Sequence, residues 1–165
     1  ADVVPFRMGN AHPSLFPYEA LPTKDRDLII AAGNDKQFRA LAKVLGIEHV
    51  ADDPRFKINA DRTKNREELR PMLLEQLAKW NSDDLFYALN DVGVPCGPIN
   101  SIGDGVELAE KLGLRPRVSV GEGDRQADLV RNPITFSNGE LNYTMPPPHL
   151  GEHTDEIRNW LSTKG

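Results

Sequence analysis

The sequence predicts an α+β fold, helix-rich in its middle and β-rich after residue 115. Three observations predict it. Two short apolar runs flank a polar turn near residue 25. Apolar residues then recur at helical spacing between residues 38 and 89, and strand-like runs separated by a glycine-containing turn follow residue 115. At 165 residues the chain is long enough to bury a workable core.

Taken in order, residues 1–17 carry Pro5, Gly9, Pro13 and Pro17 and read as an irregular connector. Residues 18–21 and 28–32 read as strands across Thr23-Lys24-Asp25-Arg26-Asp27. The second is a solid apolar run, which predicts burial on both faces. Gly33-Asn34-Asp35 then opens a helix in which Phe38, Leu41, Ala42 and Leu45 share a face, ended by Gly46.

A longer helical stretch spans 59–80, with Leu69, Met72, Leu73 and Leu77 on one side and Pro71 as its expected kink or boundary. Ser82 is placed to cap the next helix, whose Asp83 and Asp84 suit the positive end of the dipole, and Gly93 ends it. Residues 94–100 are not helix, because Pro95 and Pro98 remove donors and restrict their predecessors. Residues 104–112 form another short helix, 117–120 and 129–131 are strand-like, and Gly121-Glu122-Gly123-Asp124 turns between them. Pro146-Pro147-Pro148 makes a stiff spacer before a last helix over 152–161.

Composition removes several function classes. A formal charge of -5 and a pI of 5.4 provide no basic face for nucleic acid, which is not expected as a partner. No apolar run is long enough to span a membrane, so a membrane partner is not expected either. The single cysteine, Cys96, excludes an internal disulfide framework and suits a reducing compartment. Ala1-Asp2-Val3-Val4-Pro5 lacks an initiator Met, and the chain is expected to begin inside a longer protein.

Each motif that could carry chemistry has a structural counterpart. The turn Gly33-Asn34-Asp35-Lys36-Gln37 would put backbone N–H groups and a lysine at a helix N-terminus, as an anion site would. A glycine followed by Asn and Asp is also what a strand-to-helix turn needs for capping. His149-Leu150-Gly151-Glu152-His153 has the His-x-x-Glu-His order of one group of zinc peptidases. The preceding prolines and Gly151 argue against one continuous helix there, and no metal is expected. Cys96 lies between prolines, away from a helix N-terminus, and reads as a packed thiol. Asp52-Asp53, Glu67-Glu68 and Asp83-Asp84 are explained by caps and dipoles.

Several segments taken together resemble the family III CoA-transferases, the group of formyl-CoA, carnitine and succinate-hydroxymethylglutarate CoA-transferases. They are Gly9-Asn10-Ala11-His12-Pro13 with Pro17-Tyr18, Gly33-Asn34-Asp35-Lys36-Gln37-Phe38, and Asp52-Asp53-Pro54-Arg55-Phe56 with Asn59 and Arg62. Asn65-Arg66-Glu67-Glu68-Leu69 and Gly93-Val94-Pro95-Cys96-Gly97-Pro98-Ile99-Asn100 follow. The triproline with Leu150-Gly151-Glu152-His153-Thr154 completes the set, in family order over nearly the whole chain.

The resemblance implies a connector over 1–19, a small domain over 20–115, and a segment over 116–165 returning to a Rossmann-like large domain from the missing N-terminal half. It implies two subunits threaded as interlocked rings, in the cytoplasm or a mitochondrial matrix. It further implies coenzyme A thioesters as substrates with no permanently bound cofactor, and an aspartate nucleophile preceding Ala1. No catalytic residue is therefore assigned in this chain. Gly33, Asn34, Asp35, Lys36 and Gln37 resemble the family's loop covering the reacting centre, with one glycine in place of a glycine run. The α-methylacyl-CoA racemases of the same fold, and a non-catalytic binding module, are the alternatives.

Overall fold

The computed structural model describes residues 6–163. The first part of the connector, residues 1–5, and with it the missing initiator Met, lie outside the described residues. Mixed α and β structure is present as the sequence predicts, in two compact units, Ala1–Ile99 and Asn100–Gly165. The division falls after Ile99, so the helix expected over 104–112 belongs with the C-terminal strands.

The first unit is built on a three-stranded antiparallel sheet, ordered β1 (Tyr18–Pro22), β2 (Asp27–Ala31) and β3 (Cys96–Pro98). The expectation that the second strand is buried on both faces is corrected here. Leu28 and Ile30 are buried, but Ile29 is 42% exposed, because only one face of this small sheet is covered by helices. The proline-bounded segment excluded from helix contributes β3 at the sheet edge, where Pro95 still accepts from the Ala31 N–H (2.9 Å).

Helix α1 (Asp35–Val44) buries Phe38, Leu41 and Ala42. At its end Gly46 takes φ +70, while Ile47 N–H bonds Ala42 O and Gly46 N–H bonds Lys43 O. This Schellman arrangement satisfies the last carbonyls, and Gly93 ends a later helix the same way. After the short α2 (Glu48–Asp52), the stretch expected as one helix over 59–80 is two, α3 (Asn59–Lys64) and α4 (Arg66–Leu77).

The break is at Asn65 rather than Pro71. Asn65 leaves helical geometry (φ -103, ψ 26) and spends its side-chain amide on Arg55 O at 2.9 Å. Pro71 sits on the exposed side of α4, opposite the buried Leu69, Leu73 and Leu77, where water can serve the carbonyl its missing N–H would have bonded. Asn81, not Ser82, holds the N-cap position of helix α5 (Ser82–Asp91), without a side-chain cap bond. Ser82 is its first helical residue, and its N–H is taken by Asp25 Oδ1 from the β1–β2 turn at 2.8 Å. That bond leads the causes holding the Asp25 carboxyl below its ordinary range.

In the second unit, α6 (Ile102–Lys111) starts with a full capping box between Ser101 and Asp104. Strands β4 (Arg117–Val120) and β5 (Ala127–Val130) pair antiparallel, Arg117 opposite Val130. A 3₁₀ turn over Gly123–Arg125 lies between them, and α7 (Thr154–Ser162) closes the described chain.

Candidate functional site

The Gly33 turn is where the sequence places its candidate site, and its geometry follows from the elements on either side. Ala32, fully buried, donates its N–H to Pro17 O at 2.9 Å and so fixes the strand exit. Asn34 then caps α1, its Oδ1 accepting from Gln37 N–H at 2.9 Å. The Gln37 side chain reaches back to accept from Gly33 N–H at 3.0 Å, closing a reciprocal cap. Gly33 itself is not left-handed, and a Cβ there would meet only Gln37 Oε1 at 3.7 Å and Leu15 Cδ1 at 3.9 Å.

Asp35, in the first turn, bonds Arg62 Nη2 at 2.8 Å and places a carboxylate at the positive end of the helix. The four residues Gly33, Asn34, Asp35 and Gln37 are thus brought together in one capped turn, with Lys36 exposed beside them. With its side-chain acceptors used locally and Asp35 at the dipole, the turn has the form of a fixed helix start rather than an open anion cradle.

What fixes it is Arg62, whose role in this turn the sequence reading missed. Wholly buried on α3, its guanidinium donates from Nε to Phe16 O (3.0 Å) and from Nη1 to Phe56 O (3.0 Å) and Lys57 O (3.2 Å), besides Asp35. It also lies 4.4 Å from the centroid of the Phe38 ring. Burial pulls its pKa down and Asp35 opposes the shift, yet a guanidinium stays charged throughout the ordinary pH range. The rigid fork joins the connector, the segment before α3 and the Gly33 turn. The available signal was a lone arginine one turn after Asn59 amid polar residues, which looks like any solvated helix face.

A second cluster lies on the connector. The His12 ring stacks on Tyr18 with centroids 5.2 Å apart, and its Nδ1 accepts from Ser14 N–H and Leu15 N–H, both at 3.1 Å. Arg66 donates to His12 O at 3.0 Å, and Arg70 Nε stands 3.5 Å from Glu19 Oε2. Arg66, Arg70 and Glu19 help line an open cavity of about 210 Å³ with Phe6 and Met8.

The Cys96 thiol is half-buried near Phe86 O (3.6 Å), and burial pushes its pKa up to about 11, which keeps it protonated at neutral pH. His149 and His153 do not share a helix, because α7 begins at Thr154 and Gly151 is left-handed at φ +80. Glu152 between them pairs with Arg125 and accepts the His149 N–H at 2.7 Å. Among the described residues no three His, Cys, Asp or Glu groups converge as metal ligands. Asp52, Asp53 and Glu68 pair with Arg39 or Arg55, and Asp83 with Arg26.

Each unit is thus described by its own α and β elements, with the capped turn and the connector cluster both in the first. The chain belongs to CoA-transferase family III, whose pattern it matches over residues 1–154. It is 42% identical over 161 residues to the succinate–glutarate CoA-transferase of Agrobacterium fabrum, covering 96% of this chain and 40% of that protein. It is 35% identical over 156 residues to the succinyl-CoA:glutarate CoA-transferase of Mus musculus, covering 92% of this chain and 35% of that protein. A CAIB/BAIF family protein from Brucella suis, solved by crystallography, superposes with TM-score 0.73 at 39% identity, over 95% of this chain and 40% of that one. The chain therefore spans two fifths or less of the length of the curated relatives named here.

Proposed function

We propose that the protein containing this chain transfers CoA between an acyl-CoA thioester and a carboxylic acid. The observation that carries the reading is the family match over nearly the whole chain, joined to a 42% identical relative named for succinate and glutarate. Short aliphatic dicarboxylates are accordingly the proposed acids, and coenzyme A enters as a substrate rather than a resident cofactor.

On this reading an aspartate outside the chain attacks the thioester carbonyl and expels CoA thiolate, giving a mixed anhydride. The thiolate then attacks the aspartyl carbonyl, releasing the donor acid and leaving an enzyme-bound CoA thioester. The acceptor carboxylate attacks that thioester, and the freed thiolate takes the acceptor's acyl group, restoring the aspartate. Each step exchanges one activated acyl group for another, so water is the species to exclude.

The Gly33–Gln37 turn is proposed to supply part of that exclusion as a fixed wall, since its caps and Arg62 hold it in place. The exposed apolar residues of the second unit, such as Ile102, Met145 and Leu150, support its return to a large domain within an interlocked homodimer. The test is exchange of label from succinate into succinyl-CoA by the full-length protein, with glutaryl-CoA as donor. Exchange supports the proposal. Deuterium uptake at the acyl α carbon without CoA exchange would replace it with racemisation. The 165-residue chain alone is expected to exchange nothing, because positioning cannot substitute for the nucleophile.

A further inference from the structure

A cavity of about 360 Å³ in the second unit takes no part in the reading above. Its wall includes Arg115, Arg131, Ile134, Phe136, Glu140 and Tyr143. Neighbouring Arg117 and Arg125 each pair with a glutamate, Glu110 and Glu152. Arg115 and Arg131, by contrast, have no side-chain partner among the described residues. The backbone places both at one end of the hairpin: Arg131 N–H donates to Pro116 O at 2.8 Å, extending the β4–β5 ladder to the residue after Arg115. Both cations line the same cavity, which gives it a positive potential that favours an anion.

Arg115 adds a separate observation. It is the non-glycine residue with positive φ among those described, at +49. A long L side chain in the left-handed region carries a backbone cost, and such residues cluster where binding or catalysis needs the side chain aimed. Tyr143 supplies a further donor, since its oxygen accepts the Asn132 N–H at 3.0 Å and its hydroxyl proton has no acceptor among the described residues. Ile134 and Phe136, 56% and 53% exposed, give the same cavity an apolar wall.

We propose that this cavity binds a small organic dianion, a dicarboxylate or a phosphate monoester. Its anionic groups lie at Arg115 and Arg131 and its carbon body lies on Ile134 and Phe136. The volume sits near the lower end of ligand pockets and suits such a molecule rather than a whole nucleotide cofactor. Guanidinium forks match the planar and tetrahedral oxyanions of these two sources alike. Glu140 in the wall opposes the anion and so provides a handle of opposite sign.

The experiment is an amide NMR titration of the 165-residue chain at pH 7 and fixed ionic strength, with glutarate, phenyl phosphate and sodium chloride as probes. Saturable shifts confined to residues 115–143 are expected with one or both organic dianions, and which one saturates identifies the source. Arg115→Asn, which keeps a residue at ease in the left-handed region, and Arg131→Gln should each weaken binding about tenfold or more. Glu140→Gln should tighten it several-fold. Shifts that chloride produces equally at the same ionic strength overturn the proposal, as does unchanged binding in both arginine variants. If either arginine variant loses the β4–β5 pairing, the Glu140→Gln arm decides, and weaker or equal binding there counts against the site.

Discussion

In the first unit Leu28, Phe38, Leu41, Leu73 and Leu85 are wholly buried, whereas Val120 is the buried hydrophobic residue of the second among those described. Ile102, Val130 and Leu150 of the second unit face solvent instead. Fully burying one such side chain contributes about 1.5–3 kcal/mol, while an exposed ion pair contributes about 0–1. The first unit therefore holds itself together by a core, and the second by caps and polar pairs such as Ser101–Asp104 and Arg125–Glu152. The difference teaches where self-sufficiency ends: the buried apolar residues lie almost wholly within 16–94, and Val120 alone is added after 100 among those described.

The largest effect that would sharpen this contrast comes from Arg62. Arg62→Ala leaves the buried carbonyls of Phe16 and Phe56 without a donor and empties the site of the guanidinium, while half-exposed Asp35 returns to water, and should cost about 3–5 kcal/mol in urea unfolding. Arg62→Lys keeps the charge but not the fork, and should recover only part of that. A loss below about 1 kcal/mol for the alanine variant would remove Arg62 from the first unit's framework.

Leu73→Ala comes next, with about 2–5 kcal/mol expected from the buried methylenes and the cavity left behind. Leu150→Ala, at a fully exposed position of the second unit, should stay within about 0.5 kcal/mol. Comparable losses at the two positions would break the comparison outright.

Within the second unit the tightest backbone approach is at Gly121. Its φ is +82, and a Cβ there would stand 2.6 Å from Arg125 O and 2.9 Å from Pro146 Cβ. Gly121→Ala should cost about 1–3 kcal/mol of local strain, read as faster amide exchange in β4 and β5 with the first unit unaffected. Acid should act on the same unit. The Arg125 bond leads the causes that lower the Glu152 carboxyl from 4.5 to about 2. The pKa is depressed in the folded state, so this contribution is present above pH 4.5 and is lost as pH falls toward 2. Carbon NMR of Glu152 should report a midpoint near 2, moving up in Arg125→Gln. A midpoint near 4.5 in the unmodified chain would show the pair to be inconsequential in solution.

The same contrast decides what was legible in the sequence. In the first unit the strand runs, the Phe38-Leu41-Ala42 face and the Gly46 and Gly93 stops follow from residues a few positions apart, and all are present. Ile29 was misread because a five-residue apolar run does not say whether both faces are covered. Asn65 rather than Pro71 breaks the long helix because a side-chain bond to Arg55 O, in the turn before α3, competes with the helix. Arg62 was legible only as one member of a family string, since the partners that tie it to the turn and the connector, Asp35 and Phe16, lie 27 and 46 residues away. The β4–β5 hairpin of the second unit was foreseen from its turn, but the arginine cavity was not, because it is formed by residues of an irregular segment.

The smallest expected effect concerns Gly33, and it separates a wall from a scaffold. Since Gly33 is not left-handed and an added Cβ meets its neighbours at ordinary distances, Gly33→Ala should change stability by no more than about 0.5 kcal/mol. Its N–H bond to Gln37 Oε1 would survive, and so would the cap. Any functional change in the full-length protein would then come from the methyl group itself, at a turn otherwise intact. If the turn walls off the anhydride, Gly33→Val should raise acyl-CoA hydrolysis relative to transfer while Gly33→Ala leaves stability in place. Measuring free acid and acceptor-CoA in one assay gives that ratio directly. A ratio unchanged in both variants, with stability also unchanged, would make the turn part of the first unit's scaffold and nothing more.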